Sequence, residues 1–233
     1  FDGCGIGLVV DSTGADGGWN RFVSNAFDNA VITGAEHSGT GVLLRGGIGK
    51  LELKISFLRD NAGAGLKLLA PPEGARNESI VLAGNRIHGN GAAADADSRA
   101  GVQITDATDV RIEGNEIHSQ TGVDAASTGI GVRLDQVSGI NLFCNDVYDN
   151  DLGVVLGSGS DNAGVLHNSW RNHGQVAFQT EASSASGTAV NENNFAGNAT
   201  AIDHAGDGTL DARHNWWGAA DGPDDGGGGT GDP

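Results

Sequence analysis

The chain has no methionine at all, not even an initiator, and no signal peptide precedes its opening apolar run, CGIGLVV. It closes on DDGGGGTGDP, a flexible-linker composition, so the whole reads as a processed or excised piece of a larger chain with flanking domains. Nowhere do 18 apolar residues follow one another, which predicts no membrane-spanning helix. Aromatic residues supply only 5% of the chain and hydrophobic ones 38%, while glycine reaches 40 of 233 residues. That balance fits many short strands joined by turns better than long helices, and the glycines have no Gly-X-Y period that would suggest collagen. Basic residues are scarce too: 13 Lys and Arg stand against 30 Asp and Glu, for a formal charge of -17. Such a chain is a poor partner for a nucleic-acid backbone and fits a solvated extracellular protein, or one that meets cations. Only two cysteines occur, Cys4 and Cys144, in no metal-ligand spacing; two free thiols are expected, with a single disulfide as the alternative.

What the chain does have is a repeat. An Asn, an apolar residue two positions later and often a second polar amide five positions later recur as NAF at Asn25, NRIHGN at Asn85, NEIHSQ at Asn115, NDVYDN at Asn145, NSWRNH at Asn168, NNFAGN at Asn193 and NWW at Asn215. Ser56 stands in the same column, and neighbouring members are 22 to 31 residues apart. Apolar residues fall five and three positions upstream of each, as in Leu51 and Leu53, Ile80 and Leu82, Val110 and Ile112, or Ile140 and Leu142. Alternation of that kind marks a half-buried strand. Another short strand opens each unit, as in GVLL at Gly41, GLKL at Gly65, GVQI at Gly101, GVRL at Gly131 and GVVL at Gly153. A unit of two strands, a sharp bend at Asn and a third short strand leaves no room for a crossover helix. Too small to bury an apolar face alone, such units must stack as coils of a parallel solenoid. The recurring Asn then has two expected uses, tolerating a left-handed bend and hydrogen-bonding to identical amides one coil above and below.

On these residues, from about 5 to 218, the sequence resembles the right-handed parallel β-helix proteins of the pectate-lyase-like superfamily. HNWWGAADGP, from His214 to Pro223, is similar to the ending of many secreted bacterial β-helix proteins, NosD-like and surface-anchored ones included. The resemblance implies an all-β, right-handed parallel β-helix of about eight coils, a single domain over 1–223 with a Gly/Asp-rich tail at 224–233. It implies a secreted or cell-surface location but no one activity, since a fold does not fix a function.

If coils stack about 4.8 Å apart, alignment columns become lines on the surface. The column three residues after the ladder position reads Asp28, Arg59, His88, His118, Tyr148, Arg171, Ala196, and the column one after it reads Ala26, Phe57, Arg86, Glu116, Asp146, Ser169, Asn194. Both should face outward, because the residue between them is the buried apolar one. His88, His118, Tyr148 and Arg171 are the candidate catalytic groups, and Arg59, Arg86, Glu116 and Asp146 the candidate substrate contacts. Insertions at 91–99 and 121–129 would wall this line on one side. Breaking or epimerising a uronate polymer needs a base, a cation for the carboxylate and an acid for the leaving oxygen. His, Arg and Tyr could supply them, with calcium as a possible cofactor, as related lyases and mannuronan epimerases often use. Yet the Asp-Pro-His-Asp motif of those epimerases is missing, as is the Asn-x-Asp, Asp-Asp, Gly-His-Gly set of polygalacturonases.

Other candidates are weaker. Asp95, Asp97, Asp221, Asp224 and Asp225 carry hard oxygen ligands suited to calcium but match no calcium-loop motif. Cys144, His167 and His214 share the column just before Asn, on different coils. Trp216 and Trp217 read as an end cap, with Trp217 in the buried column and Trp216 as a possible sugar-stacking ring. Two functions follow from these readings: a non-catalytic extracellular module, spacer or polysaccharide-binding, and alternatively a lyase or C5-epimerase acting on an acidic glycan.

Overall fold

The computed structural model describes residues 6–11, 19–31, 37, 39–93, 99–120, 122, 127–206, 208–224 and 229–232. Every regular element among them is a strand, and every pairing between named strands is parallel. Ala100–Glu113 shows how a coil is built. Its first part pairs with Leu66–Leu68 and its second with Asn77–Ala83 of the coil below, and nearly its whole length with Ile130–Phe143 of the coil above. One bent strand thus serves two faces, which join into a 13-stranded sheet. The third face is a separate 7-stranded sheet of three-residue strands, from Ala26–Asp28 to Asn194–Ala196. A bridge from Asn194 to Trp216 adds one further rung. The result is a right-handed parallel β-helix, the hand that parallel crossovers take in nearly all proteins.

The period-2 pattern sets the register. Leu51, Ile80, Val110, Ile140 and Ala163 pair in one line, and Leu53, Leu82, Ile112, Leu142, Val165 and Val190 in another, all buried. The third line, on the short sheet, is Phe27, Leu58, Ile87, Ile117, Val147, Trp170 and Phe195. Its rings close the upper core: Trp170 stacks on Phe195 at 5.9 Å, and Phe195 on Trp217 at 5.2 Å. The last unit departs from the pattern, because Leu210 and Ala212 flank only an isolated bridge from Asp211 to Ala189 instead of lying in a strand.

The Asn column forms a buried ladder. Asn85 Nδ2 donates to Asn115 Oδ1 at 2.9 Å, and the same bond passes from Asn115 to Asn145, Asn168, Asn193 and Asn215. Each Oδ1 also accepts the backbone N–H of the ladder residue one coil below. The expectation about the bend needs correcting, however. The left-handed residue is the one before each Asn: Ser24, Ile55, Gly84, Gly114, Cys144, His167, Glu192 and His214 have φ between 50° and 63°. The Asn itself is free to turn its amide inward, so its role is hydrogen bonding alone.

A second ladder runs five residues on, through Asn61, Asn90, Gln120, Asn150, His173 and Asn198, all buried. It closes on Asp232, whose carboxylate accepts Gly197 N–H at 3.0 Å, Asn198 N–H at 2.8 Å and Asn198 Nδ2 at 2.7 Å. Beside this ladder stands a line of glycines. A Cβ at Gly101 would lie 2.8 Å from Gly131 O, 2.9 Å from Ile87 Cγ2 and 3.0 Å from Gln120 Nε2. Gly41, Gly65, Gly131 and Gly153 are blocked in the same way by a carbonyl oxygen of the next coil.

Candidate functional site

The short sheet places His88, His118 and Tyr148 on consecutive rungs, with Arg59 below and Arg171 above. Each strand here is three residues long with its middle residue buried, so the flanking side chains must face out. The rings form a continuous stack. His88 and His118 are 4.9 Å apart and 12° from parallel, and His118 and Tyr148 are 4.6 Å apart and 6° from parallel. Arg171 lays its guanidinium over the free face of Tyr148, 4.3 Å from the ring centre.

The charged side chains of the two columns are paired between adjacent rungs. Arg86 Nε donates to Glu116 Oε2 at 2.6 Å, Arg171 Nη2 to Asp146 Oδ2 at 2.6 Å, and Arg59 Nη2 to Asp28 Oδ2 at 2.8 Å. Glu116 is the hub: its Oε1 also accepts the Tyr148 hydroxyl at 2.5 Å and lies 3.7 Å from His118 Nε2. The Arg86 hydrogen bond holds the Glu116 carboxyl down at about 2, with the Tyr148 hydroxyl adding to it. Tyr148 is pushed up to about 12, first by burial and then by donating to the ionised Glu116. His118 is lowered, mainly by burial and then by the neighbouring His88. At neutral pH the cluster is therefore Glu116 ionised, Tyr148 protonated and His118 neutral. A neutral imidazole can take a proton, and His118 Nδ1 meets the Ser119 hydroxyl at 3.0 Å.

All eight residues singled out from the sequence thus lie on one sheet and in direct succession. Most of both insertions expected to wall the line falls outside the described residues, as do Cys4, Asp95, Asp97 and Asp225. Asp224 is exposed, and Asp221 accepts the Thr230 hydroxyl at 2.9 Å, which helps hold its carboxyl below the usual range. Among the described residues no three His, Cys, Asp or Glu side chains are grouped to hold a metal ion. Cys144 is a free, exposed thiol.

Two structural features lie outside the sequence reading. His173 sits in the second ladder with Nε2 3.2 Å from Val147 O, and burial lowers its pKa to about 4. Its position five residues after Asn168 was the available signal. The line of glycines is the other, and its signal was a Gly opening each of five strands in the same column.

No curated protein and no solved structure matches the chain. One family model does match, that of the right handed beta helix region, over residues 73–216. This span holds most of the first ladder and the whole ring stack. By that match, and by the parallel coils and stacked amides that account for it, the chain belongs to the right-handed β-helix family.

Proposed function

We propose that this domain is a non-catalytic module of a larger extracellular or cell-surface protein, a rigid spacer or polysaccharide-binding segment. The observation that carries this reading is that the reactive line is engaged with itself. A uronate lyase or epimerase needs a cation open to the substrate carboxylate, and a base and an acid aimed at the sugar. Here Arg59, Arg86 and Arg171 each hold a neighbouring carboxylate, the Tyr148 proton points at Glu116, and the ring faces are covered by one another. The formal charge of -17 further disfavours a polyanionic substrate.

The alternative of a lyase or C5-epimerase rests on the neutral His118, whose imidazole is in the state a base requires and, unlike the Glu116 carboxylate, is not held by an arginine. Both are tested by incubating the protein with alginate, pectate and glycosaminoglycans in the presence of calcium. Absorbance from unsaturated uronates reports cleavage, and deuterium uptake at C5 from heavy water reports epimerisation. Neither signal is expected. Either one, present in the wild type and lost in His118→Ala, would replace the spacer with an enzyme whose base lies on the ring stack.

A further inference from the structure

We propose that the bends of the last three coils form a binding groove for a neutral saccharide chain, with Trp216 as its stacking platform. This deepens the polysaccharide-binding half of the proposed function and places it away from the ring stack. An open cleft of about 480 Å³ lies over these bends. The left-handed residues before the ladder Asn supply His167, Glu192 and His214, and the residues after it supply Ser169, Asn194 and Trp216. Between them lie Asn168 and Asn193, buried and fully engaged in the ladder, which makes the floor rigid.

Trp216 is held outward by its neighbour. Alternation sends Trp217 inward onto Phe195, so the preceding indole must face solvent, and 49% of Trp216 is exposed. Its backbone is fixed on both sides, the N–H donating to Asn193 O and the carbonyl accepting Phe195 N–H, each at 2.8 Å. A single exposed apolar residue is ordinary on any surface. A rigidly presented indole at the edge of a cleft lined by an amide, a hydroxyl, two imidazoles and a carboxylate has the makeup of a sugar site, one apolar face beside several hydrogen-bonding groups.

Charge narrows the ligand. His167 Nε2 and Glu192 Oε2 pair at 3.2 Å, and neither Lys nor Arg lines the cleft, so no guanidinium or ammonium awaits a uronate or sulfate. Coils rise about 4.8 Å each, giving three bends a span of about 10 Å, enough for about two sugar rings along the axis. The geometry therefore favours a neutral pyranose chain, a hexosan, a xylan or an N-acetylhexosamine polymer.

The test is calorimetric titration of the whole protein with cellohexaose, xylohexaose, mannohexaose and chitohexaose, and with oligogalacturonate as the acidic comparison. At least one neutral oligomer should bind. Trp216→Ala should weaken that binding about tenfold or more, the loss expected of one stacking ring, and Trp216→Phe should recover part of it. Because the Trp216 side chain lies outside the core, thermal unfolding of both variants should match the wild type. Absence of binding by all four neutral oligomers, binding indifferent to Trp216→Ala, or preference for oligogalacturonate would each overturn the groove. Uronate cleavage, by contrast, would overturn the non-catalytic reading and leave the groove standing, so the two failures are separable.

Discussion

The amide column was legible residue by residue, because a hydrogen-bonding side chain at a fixed place in every repeat has few explanations other than a ladder. Which residue takes the strained backbone was not legible. Ile55, Cys144, His167 and Glu192 are unlike one another and unlike Asn, yet all adopt positive φ, since the ladder on one side and the short sheet on the other dictate the bend. His173 is the instructive exception in the second ladder. An amide there would donate and accept; a buried imidazole, its pKa lowered to about 4 from 6.5, is held neutral. The unfolded chain takes up this proton as pH falls below about 6.5, while the folded one resists until about 4. The contribution is thus fully present above pH 6.5 and lost across that window, at about 3 kcal/mol in total. Urea denaturation of wild type and His173→Asn at pH 7 and at pH 4 checks it: the wild type should lose the greater stability on acidification, and equal losses would rule it out.

At the level of the strand, three-residue elements are too short to be found by propensity, and it was their recurrence that revealed them. The columns drawn from the sequence coincide with the observed pairs, Arg86 with Glu116 and His118 with Tyr148 among them. What the columns did not show is how their side chains engage one another, because Arg86 reaches along the axis to the carboxylate of the next rung and Tyr148 reaches back to the same group. Sequence gives the rung but not the rotamer. The glycine that opens each strand was equally hidden, since its reason lies in the coil above. Gly101→Ala would push a methyl group against a carbonyl oxygen, an Ile methyl and an amide nitrogen at once, all within 3.0 Å. A destabilisation of about 1–3 kcal/mol is expected, read as a lowered urea midpoint with an unchanged slope; an unaltered midpoint would mean the coils can part to admit it.

For the molecule as a whole, stability is a sum over coils that touch only their neighbours. The central coils are 30 residues long and superpose in register, Asn85 to Asn115 to Asn145. Deleting 115–144 would join Gly114 to Asn145, replacing one left-handed residue before a ladder Asn with another. The shortened chain should keep its β-sheet circular dichroism and a single cooperative melt, whereas deleting 115–129 should abolish both, because half a coil puts apolar residues against polar ones. A folded product of the second deletion would sink the nearest-neighbour view. The direction of the ladders has its own consequence. In the first ladder each amide oxygen from Asn85 to Asn215 faces the preceding coil, and each amide from Asn85 to Asn193 sends one N–H forward to the next oxygen and one back to a carbonyl of the coil before, so the solenoid is a polar polymer with distinguishable ends. Asp232 occupies the place where the acceptor of a next coil would stand, and its carboxylate takes all three donors offered there. It caps the second ladder, satisfying the last amide from within the chain.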